Sequence, residues 1–247
     1  MKSLSLFLLV LHIVAGSLAV LVGLVALVAR KPVRVRTTRE GGTHKKSGRL
    51  FLYAMSVVIA TATVLTLISL NPYFAGLTAA SAVAVFSGYR VLARKRPDLN
   101  PQQRARALDW LVALVVLGVA VLLIALGATG GIEKNLPVVY SLGVGSALYA
   151  GYDLYRFARP LARPFSLNLW LYEHLVKMIG GYFGAVAAFS GSVLVLLPEP
   201  WRQLWATSLG QTLAVVLVIY YRRKLKTRPP QGTLTEASTA PLSLTHP

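Results

Sequence analysis

The 247-residue chain is 55% hydrophobic and 14% charged, with a mean hydropathy of +0.60, which excludes an ordinary soluble domain and points to a polytopic membrane protein. Its 26 lysines and arginines outnumber 8 acidic residues for a net charge of +18, but they sit between apolar runs rather than along one face, so membrane loops account for them and no nucleic-acid partner is implied. With no cysteine in the chain, disulfides, thiolate metal sites and thiol nucleophiles are excluded.

The apolar runs predict seven transmembrane helices. The first covers Ser3 to Ala29, roughly 40 Å of helix and enough to cross with some tilt. Its start resembles a signal peptide, but the apolar run continues past any cleavage point at Ala19, so a retained helix is expected. A basic connection carries Arg30, Lys31, Arg34, Arg36, Arg39, Lys45, Lys46 and Arg49. The second span is Leu50 to Leu70, and Asn71-Pro72 turns the chain into the third, Tyr73 to Leu92. Arg94, Lys95, Arg96, Arg104 and Arg106 then precede the fourth, Leu108 to Thr129, which Gly130-Gly131 ends. Pro137 to Tyr155 is the fifth, followed by Arg156, Arg159 and Arg163. The sixth runs from Trp170 to about Leu197, and Arg202 to Tyr221 is the seventh. Residues 1–228 thus form one transmembrane domain, and the Ser/Thr/Pro-rich segment 229–247 reads as a disordered tail.

Alternate connections differ sharply in charge. One side collects almost every basic residue, while the other holds Lys2, Lys134 and Arg202. The positive-inside rule therefore predicts an N-terminus outside, a cytoplasmic C-terminus, and basic loops facing anionic lipid head groups. Two segments also look alike: Gly88-Tyr89, Arg96-Pro97 and Trp110, against Gly151-Tyr152, Arg159-Pro160 and Trp170. They suggest either a parallel duplication of the kind found in transporters or a recurring interfacial pattern.

The sixth span carries the densest chemistry. Glu173, Lys177, Gly180 and Gly184 share one helical stripe, flanked by His174. Leu175, Ile179, Tyr182, Val186 and Val193 cover the far side, where lipid is expected. Small-residue stripes recur at Gly76, Ala80, Ala84 and Gly88 and at Gly143, Ala147 and Gly151, which predicts close helix packing. Glu173 and Lys177 stand i,i+4 in the favourable order, so mutual neutralisation is expected. Asp153 shares a face with Ser146 and Tyr149 and needs a partner, for which Arg90, Lys177 and His174 are the candidates. Arg90, Asp153, Glu173, His174 and Lys177 together form a predicted polar cluster able to hold a small polar ligand or relay protons. Asp109 is placed to cap the fourth helix. The chain contains no Gly-rich phosphate loop, HExxH or GxSxG motif.

Imidazole ligates metal and haem, which makes His12, His44 and His174 candidate ligands. His12 belongs near one membrane face and His174 near the other. His44 lies on the side of His174 but precedes the apolar start of its span by about six residues, roughly 9 Å if helical. The simpler expectation for each is a hydrogen bond to a neighbouring helix.

Three segments carry a resemblance: His12 to Ala19 (HIVAGSLA), His44 to Tyr53 (HKKSGRLFLY) and Glu173 to Tyr182 (EHLVKMIGGY). Together they resemble a group of bacterial multi-pass inner-membrane proteins known as a domain of unknown function, which implies a bacterial inner-membrane location. The early His12 and the HKKSGR start also resemble the di-haem b-type cytochromes of bacterial inner membranes, which implies a possible haem b. That family uses two pairs of axial histidines, whereas here His174 alone remains as a third, leaving His12 without a partner.

Overall fold

The computed structural model describes residues 2–29, 42–132, 135–161 and 168–226, and among these it contains helices and no strands. The seven main helices are α1 (Lys2–Val28), α2 (Gly42–Ser69), α3 (Pro72–Ala93), α4 (Ala107–Ala128), α5 (Leu136–Ala158), α6 (Leu169–Val193) and α7 (Trp201–Lys226). All but α5 are long and apolar enough to cross a membrane. The α5 helix has 23 residues, but Tyr140, Tyr149, Tyr152, Asp153, Tyr155 and Arg156 dilute its hydropathy. The predicted tail 229–247 and the basic segment 30–41 lie outside the described residues.

The helices form three packed pairs, α1 on α2, α4 on α5 and α6 on α7. The α3 helix lies among α2, α4, α5 and α6, and α1 also touches α6. Local chemistry explains the corners. Asn71 caps α3 by accepting from the Tyr73 amide at 2.9 Å, and Pro72 follows at the first helical position, where its missing N–H costs nothing. Gly130 ends α4 at φ +75°, a left-handed conformation that glycine adopts without a Cβ clash. Leu70, at the α2–α3 corner, takes φ +50° without that exemption.

The packing is the reverse of a soluble bundle. On α4 the buried positions are Asp109, Ala113, Val116, Ala120, Leu123 and Gly127, recurring at alternating steps of four and three. Leu111, Leu114, Val115, Val121 and Leu122 point outward. Small residues inside and large apolar residues outside are what a lipid environment rewards, since exposed hydrocarbon is not penalised there and association depends on close packing.

The largest core joins Ala19 of α1, Phe51 and Met55 of α2, Val85 of α3, Ala206 and Ala214 of α7, and Leu175, Ile179, Tyr182 and Phe183 of α6. The expectation that Leu175, Ile179 and Tyr182 face lipid is therefore corrected. They bury against the α1–α2 pair, with Gly23 making room: a Cβ there would stand 2.5 Å from the Tyr182 ring. A helix wheel read in isolation assigned one buried face to α6, but α6 has neighbours on both.

Two element boundaries also differ from expectation. The α2 helix begins at Gly42, so the HKKSGR segment is helical rather than a loop. The α3 helix is interrupted by a π-helical turn at Val83–Ser87 and closes in a 3-10 turn at Val91–Ala93.

Candidate functional site

The predicted cluster lies at the end of the bundle where α3 stops and α4 begins. Ser87 is the last residue of the π-helical turn, a feature that inserts an extra residue and often marks functional positions. At the next residue the backbones of α3 and α6 nearly touch, since a Cβ on Gly88 would lie 3.0 Å from both Lys177 Cβ and Met178 Sδ. This approach brings Lys177 to Ser87, and their Nζ and Oγ stand 2.7 Å apart. Lys177 Nζ also donates to Asp153 Oδ1, and Ser87 donates to Asp153 Oδ2, closing a triangle across α3, α5 and α6. All three are buried, Lys177 at 2% exposure and Asp153 at 3%. Opposite charges so sealed satisfy each other, and removing one leaves an uncompensated buried ion.

The i,i+4 pair expected along α6 does not form. Glu173 instead accepts from the Tyr152 hydroxyl at 2.5 Å and lies 3.3 Å from Arg156 Nε, while Lys177 goes to Asp153. On α5, Tyr152 and Arg156 offer Glu173 fixed, partly desolvated donors and Asp153 offers Lys177 an acceptor, whereas an intrahelical pair would leave Asp153 and Arg156 without a counter-charge. Arg90 is likewise separate from Asp153. Its Nε and Nη2 grip Asp109 in a bidentate pair at 2.8 and 2.9 Å. Asp109 also accepts from the Arg106 amide at 2.8 Å, the helix-capping role expected for it.

Arg94 lies between these two groups. It is 8% exposed, its Nη1 is 3.8 Å from Asp109, and its guanidinium carbon sits 4.5 Å from the Phe157 ring centre. Burial pulls it below the ordinary arginine value, with Asp109 opposing that shift. Its Nε and Nη1 make no hydrogen bond. A narrow crevice with about 30 Å³ of enclosed space is walled here by Arg94, Arg104, Asp153, Arg156, Phe157 and Glu173.

The three candidate histidines all bond to neighbouring helices. His12 Nδ1 is 3.0 Å from Thr61 Oγ1 on α2, His44 Nδ1 donates to the Ala26 carbonyl on α1 at 2.9 Å, and His174 Nδ1 donates to the Gly88 carbonyl on α3 at 2.8 Å. Among the described residues no three histidines or carboxylates gather as a metal site. His174 occupies the tight α3–α6 seam, and no histidine lines either the arginine crevice or the apolar groove at the opposite end of α3. Each histidine thus bonds one helix to another.

The structure thus brings Asp153 and Lys177 together, puts Glu173 in an adjacent pair, joins Arg90 to Asp109 and bonds His174 to the Gly88 carbonyl. Ser87, Arg94, Tyr152 and Arg156 complete the site without having been singled out. Arg94 and Arg156 read as loop charges and Tyr152 as an interfacial ring. One signal was present for the last two: Tyr152 and Arg156 are four apart, on one helical face. Comparison of the chain with protein-family models, curated proteins and solved structures finds no match, so neither resemblance noted in the sequence gains support from it.

Proposed function

We propose that the chain is a seven-span membrane protein, N-terminus outside and C-terminus cytoplasmic, that relays protons through Asp153 and Lys177. The observation that carries this reading is that Asp153, almost sealed and paired with Lys177, nonetheless forms part of the crevice wall. A carboxylate so placed has one side toward an opening and the other toward a buried ammonium. A proton reaching Asp153 cancels its charge, loosens its hold on Lys177, and leaves Ser87 to reorient. Deeper on the same face of α5, the buried Ser146 hydroxyl has no partner, which offers the next acceptor toward the bundle centre. Glu173, held by Tyr152 and Arg156, flanks the opening. Basic connections gathered at this end favour its facing a cytoplasm and an anionic lipid surface, and the bacterial inner membrane is the location implied by the sequence resemblance.

The test is proton movement in liposomes containing purified protein and an internal pH dye. Asp153→Asn abolishes dye acidification and Glu173→Gln slows it. Native rates in folded Asp153→Asn protein would leave the pair with a packing role alone. The competing reading, a haem b carrier using His44 and His174, draws on the Nδ1–carbonyl bonds that orient each Nε2 as a ligand. A visible absorption band lost in His174→Ala would favour it, and a colourless preparation would end it.

A further inference from the structure

We propose that the groove between α2, α3 and α4 at the Pro72 end binds one acyl chain of a membrane phospholipid, taken from the leaflet at the α2–α3 corner. Both α2 and α4 pack on α3 but barely on each other, which leaves a channel along α3. Its floor is the small-residue face Ala75, Ala79 and Ala82, and Leu67, Leu70 and Leu122 stand exposed along its rims. The channel follows α3 from Pro72 to Ala82, about 15 Å at 1.5 Å per residue. It encloses about 450 Å³, and no charged residue lines it among the described residues. That volume is within the ordinary range of ligand pockets.

Size decides among the occupants a bilayer offers. Spread over its length, the enclosed space has a cross-section of about 30 Å². Hydrocarbon carbons pack at roughly 3.5–4.0 Å, so a single chain needs roughly 20 Å² and fits. A helix with its side chains is about 10–12 Å wide and needs about 80–110 Å². Even counted to its mouth, at about 1100 Å³, the channel offers only about 70 Å², so a helix of a second copy or of another subunit does not seat in it. Water does not hold there either. It needs about two to four polar partners, whereas the walls are nearly all hydrocarbon, Thr63 donates to the Ile59 carbonyl and Asn71 caps α3. An empty channel would forfeit dispersion contacts along every wall. With no charge on its walls, the channel reads the chain and not the head group. The site lies on α2, α3 and α4 and involves neither Asp153 nor Lys177.

Full-length protein is reconstituted in vesicles of dioleoylphosphatidylcholine, whose head group carries no net charge to engage the basic connections. It is then extracted into uncharged detergent and weighed intact by native mass spectrometry. One lipid is expected to stay with each chain. Ala75→Phe fills the floor and is expected to lower the retained fraction about tenfold. Leu148→Phe, on an exposed face of α5 away from the channel, is expected to leave it unchanged. Irradiating a trace of the same lipid with a diazirine in one chain is expected to label α3 between Ala75 and Ala82. Protein free of lipid, native retention in Ala75→Phe, equal loss in Leu148→Phe, or label absent from that segment overturns the proposal. So does a lipid-free dimer that Ala75→Phe dissociates, which would seat a second copy in the channel. Should Ala75→Phe fail to fold, native retention in Thr78→Phe, another lining position, overturns it instead.

Discussion

The two ends of α3 border different environments. At the Arg94 end it is tied to α4, α5 and α6 by charge: Arg90 to Asp109, Ser87 to Asp153 and Lys177, and the Gly88 carbonyl to His174. At the Pro72 end it borders an apolar groove of about 1100 Å³, counting its mouth, walled by Leu67 and Leu70 of α2, Ala75 and Ala79 of α3, and Val119 and Leu122 of α4. The contrast separates two ways of holding helices in lipid. Buried ion pairs give direction and register because leaving one unmade is costly. Apolar surfaces give neither, because lipid tails compete for them on nearly equal terms. The same helix is therefore specified at one end and permissive at the other.

Breaking the specified end should have the largest effect. Lys177→Met strands Asp153 in a sealed site and is expected to cost about 3–5 kcal/mol, read as a lower thermal midpoint in detergent. Adding Asp153→Leu to that variant should recover most of the loss, because the orphaned charge disappears. Gly88→Val tests the close approach that lets Lys177 reach its partners. A Cβ there already meets two side-chain atoms at 3.0 Å, and overpacking is expected to cost about 1–3 kcal/mol. At the permissive end the expected sign reverses. Leu70→Gly removes a left-handed leucine at the groove's rim and should stabilise by about 1 kcal/mol, measured by the same unfolding assay.

The smallest effect belongs to the Arg96–Asp98 pair in the α3–α4 connection, at 2.7 Å. The hydrogen bond from Arg96 holds Asp98 below the usual carboxylate range. A carboxylate with a depressed folded-state value contributes stability above its unfolded value and loses it as the pH falls through the folded one. The contribution should therefore fade on acidification below the ordinary carboxylate range, and Asp98→Asn should flatten the response. Added salt should shrink it as well, since this pair is solvated and screened.

Much of this arrangement was legible in the sequence for physical reasons. Long apolar runs bounded by basic clusters can hardly be anything but helices, and seven appear near the expected bounds. Asp153 announced a need for a partner because carboxylates in lipid rarely stand alone, and Lys177 was among the few residues able to answer. What could not be read was rotation about each helix axis. Spacing alone pairs Glu173 with Lys177, but only tertiary packing decides that both turn toward α5. The predicted Gly180–Gly184 stripe shows the same limit: Gly180 does meet a neighbour, since a Cβ there would stand 2.7 Å from the Tyr149 hydroxyl, whereas Gly184 faces open space and a second close approach falls one residue round the helix at Gly181. The segment VAVFS gives no hint of a π-helical turn, having neither proline nor glycine to interrupt the hydrogen-bond ladder.

That turn sets the phase of everything after it. One residue of a regular helix corresponds to about 100° of rotation, so deleting a single residue between Val83 and Ser87 would swing Arg90 and Arg94 by more than a quarter circle while leaving the preceding contacts of α3 in place. Arg90 would leave Asp109 and Arg94 would leave the crevice, although no side chain had been altered. The spare residue works as an angular adjustment, and the site is a matter of phase as much as of chemistry.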